Sequence, residues 1–188
     1  MPESDFTAYD LFMKSVNSSH NIQQAAAQSP QYMIEAGDIF ASNATEGPLG
    51  NASPCMWIET GSARLATHDC SGELTGDGRV VANDTVVCMR YGSWAPAIQL
   101  HMWEGIHLEA IKIYRIMKVG QTNQIIQTLT HSTCYFKTYE QNCDLIKFTF
   151  GFSKFEDDNI FFNHNGEKAG HIATSHNFES LEATTDAG

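Results

Sequence analysis

Hydrophobic and polar positions alternate most strictly in "LIKFTFGFSKF", Leu145 to Phe155. Ile146, Phe148, Phe150 and Phe152 take every second place, with Lys147, Thr149, Gly151 and Ser153 between them. A period of two predicts a strand with one buried and one wetter face. An α-helix would scatter the same four side chains around its circumference. Weaker versions of the pattern predict further strands at Tyr9–Val16, at Gln31–Ala41 with a bend at Gly37, and at Asp84–Tyr91. Leu108–Met117 and Gln124–Phe136 flank "KVGQTN", a glycine-containing hairpin turn. Asn159–His164 and Lys168–His176 flank Asn165-Gly166, the strongest short hairpin signal in the chain.

One segment reads as helix. Ser93 is placed to cap, Pro96 to stand in the first turn, and "AIQLHMW" runs on to Glu104-Gly105. The sum is roughly seven or eight mostly antiparallel strands and one short helix. That is a mainly β protein, a small antiparallel β-barrel or two-sheet sandwich with the helix over an open end. A single domain, 1–188, accommodates it. The stretch Ser42–Gly78 stands apart: "SNATEGPLGNASP" and "CSGELTGDG" are rich in Gly, Ser, Asn and Thr. It reads as a long loop or insertion projecting from the sheet, with a small hairpin between its two polar ends.

Composition narrows the function classes. Asp and Glu outnumber Lys and Arg by 22 to 11, a formal charge of −11. A nucleic-acid or anionic-lipid surface needs the opposite sign, so neither is an expected partner. No apolar run approaches the ~18 residues needed to span a bilayer, so no membrane insertion is expected. "MPESDFTAYD" has neither the basic nor the apolar region of a signal peptide, which points to a cytoplasmic start. The five cysteines include no Cys-x-x-Cys pair, against both a disulfide framework and a zinc ribbon. Cys55 and Cys70 are the pair able to bridge a loop, in an oxidising compartment.

Candidate chemistry is sparse. His164, His171 and His176 fall within thirteen residues around the Asn-Gly turn. On a two-residue hairpin, Ile160 opposes His171 and His164 opposes Glu167, so His164 and His171 stand about 13 Å apart. His171 and His176, an odd number of residues apart, point to opposite faces. Zinc requires ligands at about 2.0–2.1 Å from one point, so the three read as incidental and no metal or cofactor is expected. His68-Asp69-Cys70 reads as polar loop, and His107–Glu109 lacks the Pro-Cys-x-x-Cys that completes a deaminase. His131 and Cys134, three apart on a strand, are expected on opposite faces. Gly-x-Ser-x-Gly, phosphate-loop and His-Glu-x-x-His motifs do not occur. Asn17, Asn43, Asn51 and Asn83 head Asn-x-Ser/Thr triplets, which chance explains in so Asn/Ser/Thr-rich a chain. No catalytic residue is assigned.

The order of the parts is more telling. "YDLFMKSV" and "YMIEAGDIFAS" precede the long loop, and "GRVVANDTVVCMRYGSWAPAIQLHMWEGIHLEAIKIYRIM" gives strand, Pro-started helix, glycine turn and strand. A hairpin return, "DLIKFTFGFSKFED" and "NGEKAGHIATSHNFES" follow. This layout, over residues 8–180, resembles the haemolysin-coregulated protein (Hcp) family, the tube protein of bacterial type VI secretion systems. Family members tend to close with a Lys-x-Gly-Gly-x-Val-x-x-Gly-Trp-Asp strand. Here Ala169, Ser175, His176 and Asn177 depart from it, as in a divergent member. The resemblance implies a β-barrel with a flanking helix, assembled as hexameric rings stacked into a tube. It implies sheath, spike and secreted effector proteins as partners, export through the apparatus without a signal peptide, and no catalysis. It also implies that Ser42–Gly78 stacks the rings, with Ser42, Asn43, Cys55, Trp57, His68, Cys70 and Gly78 as its marker residues. The alternatives are a secreted ligand- or host-binding β-sandwich, an enzyme with a Cys/His or metal site in the loop, and a phage tail-tube protein.

Overall fold

The computed structural model describes residues 31–40, 49–68, 74–119, 122–163, 165–180 and 182–187, with side chains from 64 to 68 and 74 to 79 and that of 122 left aside. The expected strand Tyr9–Val16 and the residues Ser42, Asn43, Cys70 and His164 lie outside this set. The described residues form twelve strands and one helix. They belong to one compact unit, Gln31–Gly188.

The barrel wall follows from the alternation. In β9 (Leu145–Gly151), Ile146, Phe148 and Phe150 are fully buried while Lys147 and Thr149 are half-exposed. β6 (Thr85–Arg90) lies beside it, with Val87 opposite Phe148 and Met89 opposite Ile146, so each apolar row continues across the pair. β7 (Leu108–Val119) contributes Ile111 and Ile113 to the same interior, and β1 (Gln31–Glu35) adds Ile34 opposite Ile113.

Closure depends on strands that change partner along their length. β8 runs Thr122–Asn142, 21 residues. Its first half pairs with β7 and with β10 (Lys154–Phe162), and its second half pairs with β9. The change comes at Thr133, whose φ of 53° is left-handed, and at a register shift between Phe136 and Thr138. β2 (Ala52–Cys55) pairs with β1; past Met56 the same chain becomes β3 (Trp57–Glu59) and pairs with β6. The path β1–β2/β3–β6–β9–β8–β7 therefore returns to β1, a closed antiparallel barrel. Beyond β8, β10 continues the sheet into β11 (Lys168–Asn177) and the edge strand β12 (Glu182–Ala187). β4 (Ser62–His68) and β5 (Leu74–Ala82) pair with each other, and with no further strand among the described residues.

The helix α1 spans Ala95–Glu104, with Pro96 in its first turn as expected. Its N-cap is Trp94, without a side-chain cap, and not Ser93. The Trp94 ring is drawn into the core, 5.4 Å from Phe40 and 6.3 Å from Phe148, and this anchor sets where the helix begins. Gly105 ends it at φ 64°, and the Ile106 N–H donates to the His101 carbonyl at 2.9 Å. A Cβ at Gly105 would meet no neighbour, so Gly105→Ala carries only the left-handed backbone cost. It is expected to lower stability by about 1 kcal/mol, read from the urea midpoint.

Several boundaries differ from expectation for topological reasons. The strand expected over Gln31–Ala41 stops at Glu35, because a turn at Gly37 (φ 51°) folds Ile39 and Phe40 into the core. The strand expected over Leu145–Phe155 breaks at Phe152–Ser153, where the chain leaves β6 and the second half of β8 to join the first half of β8. Ser153 bridges the change, donating to the Ser132 carbonyl at 3.0 Å and accepting from the Phe178 N–H at 2.9 Å. The strand expected at Asn159–His164 is the end of β10. Ile160 does oppose His171, but a register shift at Phe161/Phe162 makes the loop one residue longer than an Asn-Gly turn. Asn163 N–H donates to the Glu167 carbonyl across it, so Glu167 is joined to Asn163.

Candidate interaction surfaces and an interior cleft

The long polar stretch divides into two physically different parts. Cys55 is buried in β2 opposite Tyr32, and Trp57 is half-buried in β3 opposite Cys88. Both belong to the barrel wall, not to a loop. Burial pushes the Cys55 thiol far up and the Cys88 thiol to about 11, so both stay protonated. His68 ends β4 and Gly78 lies within β5, so these two mark the separate hairpin. The Asn83 N–H donates to the Gly61 carbonyl at 2.9 Å and joins the two ends of that hairpin at its base.

Among the described residues no three His, Cys, Asp or Glu side chains come together as a metal centre. His171 opposes Ile160 and His176 opposes Phe155 on adjacent strands, and the His176 ring packs 4.7 Å from Phe178. His131 and Cys134, expected on opposite faces, are both fully buried. The left-handed Thr133 between them breaks the alternation. Their contact is through the backbone, Cys134 Sγ donating to the His131 carbonyl at 3.3 Å. Burial holds the Cys134 thiol up at about 12.

His131 is the polar hub of the core. Thr85 Oγ1 donates to Thr60 Oγ1 at 2.9 Å and lies 3.1 Å from His131 Nε2. Since the Thr85 proton is committed, its oxygen accepts from Nε2–H, and the network assigns the neutral Nε2–H tautomer. Phe152, Phe150 and Phe155 surround the ring at 4.6, 5.1 and 5.1 Å. Burial pushes the imidazole down to about 4, with the Ile111 backbone opposing in part.

Outside the core, three features are available to partners. Leu100 and Trp103 sit three residues apart on α1, and Trp103 is 72% exposed. Ile106 and Tyr135 are also exposed, and Tyr135 packs 5.5 Å from His107. β12, exposed along its whole length, leaves one edge of the sheet without a partner strand among the described residues. A cleft of about 480 Å³ opens between the base of the hairpin and the β10 wing; Tyr32, Phe152, Phe155 and Phe178 line it together with Glu59 and Asp157. Among the described residues no helix is long and apolar enough to cross a membrane.

No family model matches this sequence, and no curated protein matches it. The fold does have solved counterparts. A type six secretion system protein superposes with a TM-score of 0.74 at 9% identity, over 83% of this chain and 100% of that one. Hcp1 from Salmonella typhimurium follows at 0.64 and 9%, over 83% and 99%. A type VI secretion system effector from Yersinia pestis gives 0.57 and 11%, over 78% and 98%. The chain thus has the fold of Hcp proteins along nearly their entire length, as the ordered layout of its elements implied. At 9–11% identity the shared property is the fold.

Proposed function

We propose that this protein is a structural, non-catalytic subunit of a type VI secretion inner tube. Its copies form hexameric rings that stack and carry effectors, with sheath and spike proteins around them, and leave the cytoplasm through the apparatus. The carrying observation is the closed barrel with its flanking helix, shared end to end with a type six secretion system protein. Two surface features support assembly. The α1 patch of Leu100 and Trp103 is apolar area that a neighbouring copy would cover, and the β12 edge offers backbone groups for pairing. Stacking falls to the β4–β5 hairpin, Ser62–Ala82, since Cys55 and Trp57 are committed to the wall.

Light scattering and electron microscopy of the full chain test the reading. Annular particles with a mass near six times 20.8 kDa are expected, and a clean monomer at all concentrations counts against it. The hairpin is tested by replacing residues 63–81 with a short Asn-Gly turn, which the close approach of Gly61 and Asn83 permits. Rings should persist while tubes disappear. Tubes of normal length from that variant would reject the stacking role.

A further inference from the structure

The cleft at the base of the hairpin combines an aromatic lining with two carboxylates. Its walls carry the aromatic side chains of Tyr32, Phe152, Phe155 and Phe178. Its charged lining groups are both carboxylates, Glu59 and Asp157, and no Lys, Arg or His is among the described residues that line it. Arg115 stands between Tyr32 and Gln127 in the same cross-strand row but is not one of the lining residues.

Asp157 is held in place. Its Oδ1 accepts from Gln127 Nε2 at 2.9 Å and from Asn159 Nδ2 at 2.8 Å. Its Oδ2 takes no hydrogen bond from the described residues. The aromatic floor is braced from below: Phe152 lies 6.0 Å from Phe155 and 5.7 Å from Phe178, and both Phe152 and Phe155 rest on buried His131. This is a pre-formed pocket, not a loop that must order itself on binding.

We propose that the cleft binds an organic cation, a primary ammonium or guanidinium on an apolar stem. The uncommitted Asp157 oxygen supplies a charge-assisted acceptor, Glu59 adds a second negative charge at the rim, and aromatic rings attract a cation electrostatically. The stem packs on the phenylalanines, as the methylenes of Lys and Arg do on apolar surfaces. An anion would meet two carboxylates. A hard metal ion would need several converging oxygens, which the site does not bring together. The same chemistry is offered by a basic side chain of another protein and by a free polyamine. The inference stands on the cleft alone and is independent of the tube reading.

The test is NMR titration of the full chain at physiological ionic strength with spermidine and, separately, with acetyl-Gly-Lys-Gly-amide. 1-Pentanol and sodium acetate serve as neutral and anionic controls. Saturable shifts at Phe152, Phe155 and Phe178 are expected with the cations and not with the controls. Asp157→Asn should weaken binding by about fivefold or more, the scale of one partly solvated charge-assisted hydrogen bond. Glu59→Gln should give a smaller loss. Tighter binding of spermidine assigns the site to a free polyamine, and equal or tighter binding of the tripeptide assigns it to a protein side chain. Shifts as large with pentanol, binding of acetate, or affinity unchanged in a folded Asp157→Asn variant would overturn the proposal.

Discussion

Phe148→Ala is expected to lower the free energy of unfolding by about 3–5 kcal/mol, the range for removing a fully buried phenylalanine. Phe148 is completely inaccessible and sits between Val87 on β6 and Tyr139 on β8. It also touches Phe136 at 5.6 Å and the helix anchor Trp94 at 6.3 Å. Its ring thus joins both walls of the barrel to the base of α1. Truncation leaves a cavity whose lining is hydrogen-bonded strand, which cannot collapse to fill it. Urea unfolding of wild type and variant measures the loss. Phe161→Ala, at a half-exposed ring on β10, is the contrast and should cost far less. Equal losses at the two positions would contradict the location of the core.

Acid should destabilise the protein through His131. In the folded chain its imidazole titrates at about 4, and in the unfolded chain at the ordinary 6.5. Between these values the unfolded state binds more protons, so stability rises with pH. The contribution is fully present above pH 6.5 and is lost as pH falls toward 4. The loss amounts to about 3 kcal/mol by pH 4. Carboxylates titrate at the low end of the same window, so the informative quantity is the difference from a variant. His131→Phe keeps an aromatic ring among Phe150, Phe152 and Phe155 and leaves the Thr85 proton on Thr60. Its stability should fall by about 3 kcal/mol less than that of wild type between pH 7 and pH 4. Parallel pH profiles for the two proteins would show that His131 is not held neutral.

Much of the wall was legible because burial on one face of a strand is a local, period-two property. Ile146, Phe148 and Phe150 announce β9 without reference to any other strand. The Pro-started helix and the glycine that ends it are equally local signals. β2 was not legible. Its sequence, Ala-Ser-Pro-Cys, has little strand propensity and becomes a strand because β1 offers it a ladder. β12, Glu182–Ala187, has no apolar face at all and exists by pairing with β11. The cleft was equally hidden, since Glu59, Asp157 and Phe178 come from distant parts of the chain.

The sequence alone therefore determined that this is a mainly β protein with a short helix between two of its strands, which residues form the core of its central strands, and the order of elements it shares with Hcp proteins. These depend on the spacing of side chains along a few neighbouring turns or pleats. Only the tertiary structure decided that β8 and β2/β3 each serve two partners, that Thr133 turns both His131 and Cys134 inward, and that Cys55 and Trp57 belong to the wall while His68 and Gly78 belong to the hairpin. The reason is physical. Which strand a backbone pairs with is settled by competition among all the edges present at closure, and no window of sequence contains those edges.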